Sequence, residues 1–405
     1  MEDRNIMSKP FIYMDNAATT KVAPQVLDAM LPYFSEIYAN GSSVYQFGQT
    51  AKEAIENARA QAAALIGARP EEIYFTGGGS ESDNWAIKNA AEVYGNKGKH
   101  IITSNIEHHA VLHTCQYLEK HLEKNGFEVT YLPVDSEGRI TPEQLEAAIR
   151  PDTILVSIMT ANNEIGTIEP VKELGRIAHE HGVLFHTDAV QAYGHIPINV
   201  DEMNIDMLSS SGHKINGPKG IGIMYARKTV KLAPFIHGGA QERGKRAGTL
   251  NTPGIVGFGA AAQLAGGKME ERKKILDGLR EHLIERVLNE IPYSRLNGAR
   301  NDRLPNNAHF CFRFIEGESM LIMLDMNGVC GSSGSACTSG SLDPSHVLLA
   351  IGLHHEIAHG SLRLTLSEDI TMEQIDYTVD KLKEIVARLR EMSPLYEDFV
   401  KNGEK

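Results

Sequence analysis

Over the first two-thirds of the chain, short β-branched and aliphatic runs alternate with longer stretches whose apolar residues recur every three or four positions. Positions 73–76, 100–104, 127–132, 153–159, 183–187 and 207–210 read as strands. Between them, 81–94, 110–124, 142–149 and 171–181 read as helices; in the second, Val111, Leu112, Cys115, Leu118 and Leu122 fall on one face. Alternation of this kind predicts a mostly parallel sheet covered on both faces, because each parallel pair needs a crossover and the crossovers carry the helices.

The pattern changes after about residue 257. A helical run over 269–288 precedes a strand at 308–314 and a helix at 319–326. A Gly/Ser-rich stretch then separates these from a strand at 361–366 and a helix at 372–392. This describes a smaller α+β unit. The expected division is a large α/β domain over 15–260 and a small one over 261–405, with residues 1–14 packed on the latter.

With 405 residues, the chain is long enough for two such cores. Its 40 basic and 52 acidic side chains give a formal charge of −12, which argues against a general nucleic-acid or anionic-bilayer surface. The segment 1–10 mixes charges with few apolar residues, and no stretch reaches the ~20 apolar residues of a membrane span. A soluble, cytoplasmic protein is therefore expected.

In an open parallel sheet, ligands bind beyond the carboxyl ends of the strands, so the strand exits carry the chemistry. The first runs into Gly77-Gly78-Gly79-Ser80 directly before a helix, a place where backbone N–H groups meet an anion such as phosphate. Others exit into Glu107-His108-His109, Asn162-Asn163-Glu164, Asp188 with Gln191 close behind, and Ser211-Gly212-His213-Lys214. Each alone reads as an ordinary loop or cap; five together point to one cleft. Asp188 with Lys214 is the informative pair. A pyridoxal 5′-phosphate site needs a lysine to bond the cofactor aldehyde, a carboxylate facing the ring nitrogen and a phosphate cradle. The plainer alternative is an Asp–Lys ion pair at the rim.

Four cysteines match no zinc or disulfide spacing. Cys115, Cys311 and Cys330 lie in apolar patterns and read as packing. Cys337 instead lies within Ser332-Ser333-Gly334-Ser335-Ala336-Cys337-Thr338-Ser339-Gly340-Ser341, a run without charge or large apolar anchors, where a thiolate could attack and deliver. His355-Glu356-Ile357-Ala358-His359 spells a zinc-protease pattern, but Gly352 and Gly360 leave too short a helix for it, and no metal site is expected.

Taken together, these pieces resemble the NifS/IscS-type cysteine desulfurases, in the group with the long Ser-Ser-Gly-Ser-Ala-Cys-Thr-Ser loop. The likeness extends from Tyr13-Met14-Asp15-Asn16-Ala17-Ala18 to Ser393-Pro394-Leu395 and includes Glu81-Ser82-Asp83-Asn84 and Arg243-Gly244-Lys245-Arg246-Ala247-Gly248-Thr249. It implies the aminotransferase-like fold type I, with a seven-stranded type of sheet, pyridoxal 5′-phosphate as cofactor, and a homodimer.

By the same resemblance, Lys214 holds the cofactor and moves the substrate's Cα proton. Asp188 faces the ring nitrogen, Gln191 and Asn163 the ring hydroxyl, and His108 stacks on the ring and takes part in proton transfer. Gly79, Ser80, Ser211 and His213 hold the phosphate, joined by Thr249 of the second subunit. Arg363, Asn163 and Asn40 bind substrate, although Gly41 and Tyr45 depart from the family pattern beside Asn40. Cys337 takes the sulfur of L-cysteine as a persulfide and alanine leaves; the sulfur then passes to an acceptor such as an iron–sulfur scaffold protein. The chain ends at Lys405, so the longer tail that some members use for docking is expected to be absent. Selenocysteine lysis or transamination is the alternative chemistry, and a non-catalytic docking protein the alternative class.

Overall fold

A seven-stranded sheet forms the centre of the computed structural model, which describes residues 10–121, 126–333 and 344–403. In chain order the strands are β1 (Ile12–Tyr13), β2 (Ile73–Thr76), β3 (His100–Ser104), β4 (Glu128–Leu132), β5 (Thr153–Ser157), β6 (Leu184–Asp188), β7 (Met207–Ser211), β8 (Gly222–Ala226), β9 (Ser294–Leu296), β10 (Asn307–Phe312), β11 (Val329–Cys330) and β12 (Ser361–Thr365). The main sheet runs β2-β8-β7-β6-β5-β3-β4. Its neighbours are parallel except for β8, which is antiparallel to both β2 and β7. The mostly parallel sheet is as expected. Strand β8 was not foreseen, because Gly222–Ala226 follows the Gly217-Pro218 turn as a short apolar run with no period of its own.

Helices α1 (Gln46–Ala64), α2 (Gly79–Tyr94), α3 (His109–His121), α4 (Pro142–Ala148), α5 (Val171–Glu180) and α6 (Thr252–Gly267) cover the sheet. Successive strand residues feed opposite faces, as a period of two requires. Ile102 and Val156 join Phe185, Leu208 and Phe258 in one core, while Ile101 and Leu155 join Trp85, Ile87 and Met207 in another. Strand β7 is buried throughout despite its sequence Met-Leu-Ser-Ser-Ser. Its small side chains leave room for α2 to lie close over it.

A second apolar core gathers α7 (Met269–Glu290), α8 (Gly317–Met326) and α9 (Met372–Glu391) on a three-stranded antiparallel sheet, β12-β10-β9. Ile12 and Met14 belong to this core, and β1 pairs in parallel with β11. Thr371 and Gln374 cap α9 reciprocally, which sets its start where the polar–apolar pattern predicted it. The strand expected to reach residue 314 stops at Phe312, and Phe314 lies in the left-handed region at φ 70°. From β1 the chain crosses to the main sheet: the Thr365 hydroxyl accepts from the Ala17 N–H at 2.8 Å, and Thr20 donates to the His213 carbonyl at 2.9 Å.

Candidate active site

At the carboxyl ends of β3, β5, β6 and β7 lies a cavity of about 300 Å³. Each of these strands delivers a side chain named from sequence: His108, Asn163, Asp188 and Lys214 line it. Gln191, Ser211, His213, Gly79, Ser80 and Arg363 line it too. Parallel strands make this convergence unavoidable, because all their exits open on one edge of the sheet.

Lys214 ends the single turn Gly212–Lys214 that follows β7. The turn is tight: a Cβ on Gly217 would come within 2.8 Å of the Gly212 carbonyl oxygen. His195 Nε2 bonds the Lys214 carbonyl at 2.9 Å and fixes its backbone. The amine donates to the carbonyls of Ala17 and, at 2.9 Å, Ala18. Sequence reasoning did not foresee those two carbonyls; only the crossing of residues 15–20 between the two cores brings them here.

Asp188 is buried at the end of β6 and accepts from the Val190 N–H at 2.9 Å. Burial pushes its carboxyl up to about 6, against a lesser downward pull from Lys214. Burial also lowers His108 to about 4, with Lys214 contributing, so the imidazole is neutral at pH 7. His108 Nδ1 accepts from the Ala110 N–H at 3.1 Å, which holds the ring at the start of α3. Gln191 Nε2 donates to the Ala17 carbonyl at 3.1 Å. A further acid, Asp83 on α2, lines the same cavity and had been assigned no role. Its signal was helical phase: four positions after Gly79, it shares that residue's face.

Gly78 adopts φ 151°, a conformation that glycine tolerates, and a Cβ there would project toward Ser211 Oγ, 3.8 Å away. Gly222 on β8 backs onto this turn so closely that its own Cβ would fall 2.7 Å from the Gly78 Cα. Glu81 accepts from the Gly77 N–H at 2.8 Å and from Arg246, fixing the turn before α2. The α2 N-terminus, Ser80, Ser211 and His213 therefore surround a space that suits a phosphate. His213 is lowered to about 4 by burial, with the Lys214 and Lys219 charges adding to it.

Arg363, on β12, brings a guanidinium from the second core into the cavity and is 3% exposed. It donates to the Asn163 carbonyl at 3.0 Å and pairs with Asp15 at 3.1 Å. Its backbone exchanges hydrogen bonds with Ser332. Glu164, beside Asn163, accepts from Ser345 and is raised to about 7 by burial.

Asn40 and Thr249 are exposed and are not among the cavity's lining residues. Asn40 instead accepts from the Ser42 N–H at 2.9 Å. Cys337 lies outside the described residues. Cys115 and Cys311 are buried, and burial raises both thiols, Cys311 to about 11. His355 and His359 are exposed at the two ends of a five-residue helix.

The Aminotransferase class-V family model matches residues 12–378, and the chain belongs to that family. It is 58% identical over 384 residues to the cysteine desulfurase IscS of Methanosarcina thermophila, covering 95% of this chain and 94% of the relative. Among solved structures, a NifS-like protein superposes with a TM-score of 0.87 at 40% identity, over 94% of this chain and all of the other. A structure of SspA in complex with cysteine superposes with a TM-score of 0.78 at 41% identity, over 88% and 99% of the two chains.

Proposed function

We propose that this chain is a pyridoxal 5′-phosphate-dependent cysteine desulfurase, converting L-cysteine to L-alanine and a persulfide on Cys337. The observation that carries the reading is the meeting of Lys214, Asp188 and Arg363 on one cavity beside a glycine-lined anion cradle. The residues fit the cofactor: an amine for its aldehyde, a carboxylate for its ring nitrogen, and a cradle whose Gly78, at φ 151°, holds a backbone conformation that other residues rarely adopt. When bound, the cofactor supplies a cationic ring that draws electron density from the substrate's Cα.

The chain's own residues do the rest. Gly79, Ser80, Ser211 and His213 hold the phosphate, Gln191 and Asn163 approach the ring hydroxyl, and His108 stacks against the ring. Lys214 Nζ would move the substrate's Cα proton, and neutral His108 can accept another from a thiol. Arg363 meets the substrate carboxylate with a planar fork, exchanging part of its bond to Asp15. The Cys337 thiolate attacks the substrate sulfur; the new S–S bond forms as the C–S bond breaks, the C–S electron pair stays with the substrate carbon, and the proton held by His108 completes alanine's methyl group.

The described residues on either side of the Cys337 segment support this role. Ser332 pairs with the backbone of the cavity residue Arg363, and Ser345 bonds Glu164, the chain neighbour of the cavity residue Asn163. Cys337 is the fifth residue after Ser332, and five residue steps span at most roughly 17 Å.

The same reading makes the protein a cytoplasmic homodimer, with Thr249 serving the partner's phosphate site, Asn40 assisting substrate binding and an iron–sulfur scaffold as one class of acceptor. No helix among the described residues is long and apolar enough to cross a membrane. Two domains are part of the proposal. Ile255, Phe258, Ala261 and Ala262 of α6 join the large core, which supports a boundary at the α6–α7 junction, Lys268, slightly beyond residue 260.

Mass spectrometry after exposure to L-cysteine should find one added sulfur on the peptide holding Cys337. Cys337→Ala should keep the cofactor's visible absorbance yet release no sulfide. Full sulfide release by that variant would end the nucleophile assignment. Faster turnover of selenocysteine than of cysteine would move the substrate reading.

A further inference from the structure

Asp83 and Asp188 reach the cavity from different elements, α2 and β6, and both are at least 95% buried. One donor atom each from Asp83, Asp188 and His108 lies within 4.8 Å of the others. Two buried carboxylates this close repel, so one of them holds a proton. Their surroundings decide which.

Asp188 has a backbone N–H from Val190 and the nearby Lys214 charge. Asp83 has less. Among the described residues its Oδ1 has no hydrogen-bond partner, and its carboxyl is met by the Ser209 hydroxyl. His186 approaches Oδ1 only to 3.8 Å, and its ring nitrogens are engaged with Ser157 at 2.8 Å and Ser209 at 3.0 Å. Behind Asp83 lies a third buried acid, Glu107, whose Oε1 accepts from Ser104 at 2.6 Å and Met159 at 3.0 Å. Burial holds His186 neutral as well, so it brings Asp83 no charge.

We propose that Asp83 is a positioning residue that keeps the proton of a buried Asp83–Asp188 carboxyl pair, leaving Asp188 as the single anion offered to the cofactor's ring nitrogen. A neutral Asp83 is also a hydrogen-bond donor, and its O–H can orient the Asp188 carboxylate, which an ionised neighbour could only repel. This rests on the cofactor placement proposed above, but the location of the proton does not.

Two measurements separate those layers. Difference infrared spectroscopy of the full-length protein at pH 7.5, with cofactor bound and again after its removal, should show a protonated-carboxyl C=O band that Asp83→Asn abolishes. No change in that region on Asp83→Asn would overturn the proposal, whatever the enzyme's activity. Second, Asp83→Ala should weaken pyridoxal 5′-phosphate binding at least fivefold, read by visible absorbance. Asp83→Asn, still neutral and still a donor, should recover most of that loss. If the asparagine variant binds as weakly as the alanine variant, Asp83 acts as an anion and the assignment fails.

Discussion

Asp188 occupies a site that penalises its own charge, and this has a consequence for stability in the absence of cofactor. Its carboxyl is raised from 3.8 to about 6 by burial. A group that binds its proton more tightly in the folded state stabilises the fold fully below its unfolded pKa. That contribution is lost as pH rises through the folded value. Cofactor-free Asp188→Asn should therefore be more stable than the parent at pH 8 by at most roughly 3 kcal/mol, read as a higher unfolding temperature. The advantage should vanish near pH 4. A cationic ring nitrogen would remove the penalty, so bound cofactor should narrow the difference at pH 8. Arg363 makes the second argument at this scale. Lysine keeps the charge but not the planar fork, so Arg363→Lys should raise KM for cysteine about tenfold, or about 1.4 kcal/mol, with a smaller change in kcat. Initial rates at varied cysteine would show it.

Strand β8 is the element that shapes the cradle without touching it chemically. It lies antiparallel between β2 and β7, and Gly222 at its start allows the Gly77–Gly79 turn to rest against it. A Cβ at 222 would sit 2.5 Å from the Ser210 carbonyl oxygen and 2.7 Å from the Gly78 Cα, both backbone atoms that cannot swing aside. Gly222→Ala should accordingly destabilise the fold by about 1–3 kcal/mol. It should also weaken cofactor binding more than tenfold, since the turn it displaces leads into α2. Thermal melts and absorbance titration measure the two effects separately. The same segment shows what sequence reading misses: buried strands of small or mixed residues carry no alternation to detect.

The whole molecule leaves Phe34, Tyr38, Val44 and Tyr45 more than half exposed ahead of α1. Solvent-facing side chains of this size suit burial against a second copy, and Thr249 is exposed and outside its own chain's cavity lining. Mixed dimers test the proposed exchange. Lys214→Ala and Thr249→Ala subunits, each impaired alone, should regain roughly a quarter of parental activity after random reassociation, because a two-fold dimer of the two kinds holds one intact site. No recovery, with dimers demonstrated by light scattering, would place Thr249 outside the partner's site.

Most strands of the main sheet, its mostly parallel order and the residues at its exits followed from the amino-acid order, whereas β8 and the helices α1 and α6 did not. Periodicity reports burial, and in a parallel sheet burial and direction together put Gly79, His108, Asn163, Asp188 and Lys214 on one edge. The helix expected over 372–392 was legible for the same reason, while the reciprocal cap at Thr371 that sets its start came from the structure. Only the tertiary structure decided the contacts between distant segments. It alone set the Ala17 and Ala18 carbonyls against Lys214, Arg363 beside Asp15, and Asp83 next to Asp188. These pairings depend on how two cores and a crossing N-terminal segment pack, and no local pattern of polar and apolar residues records that.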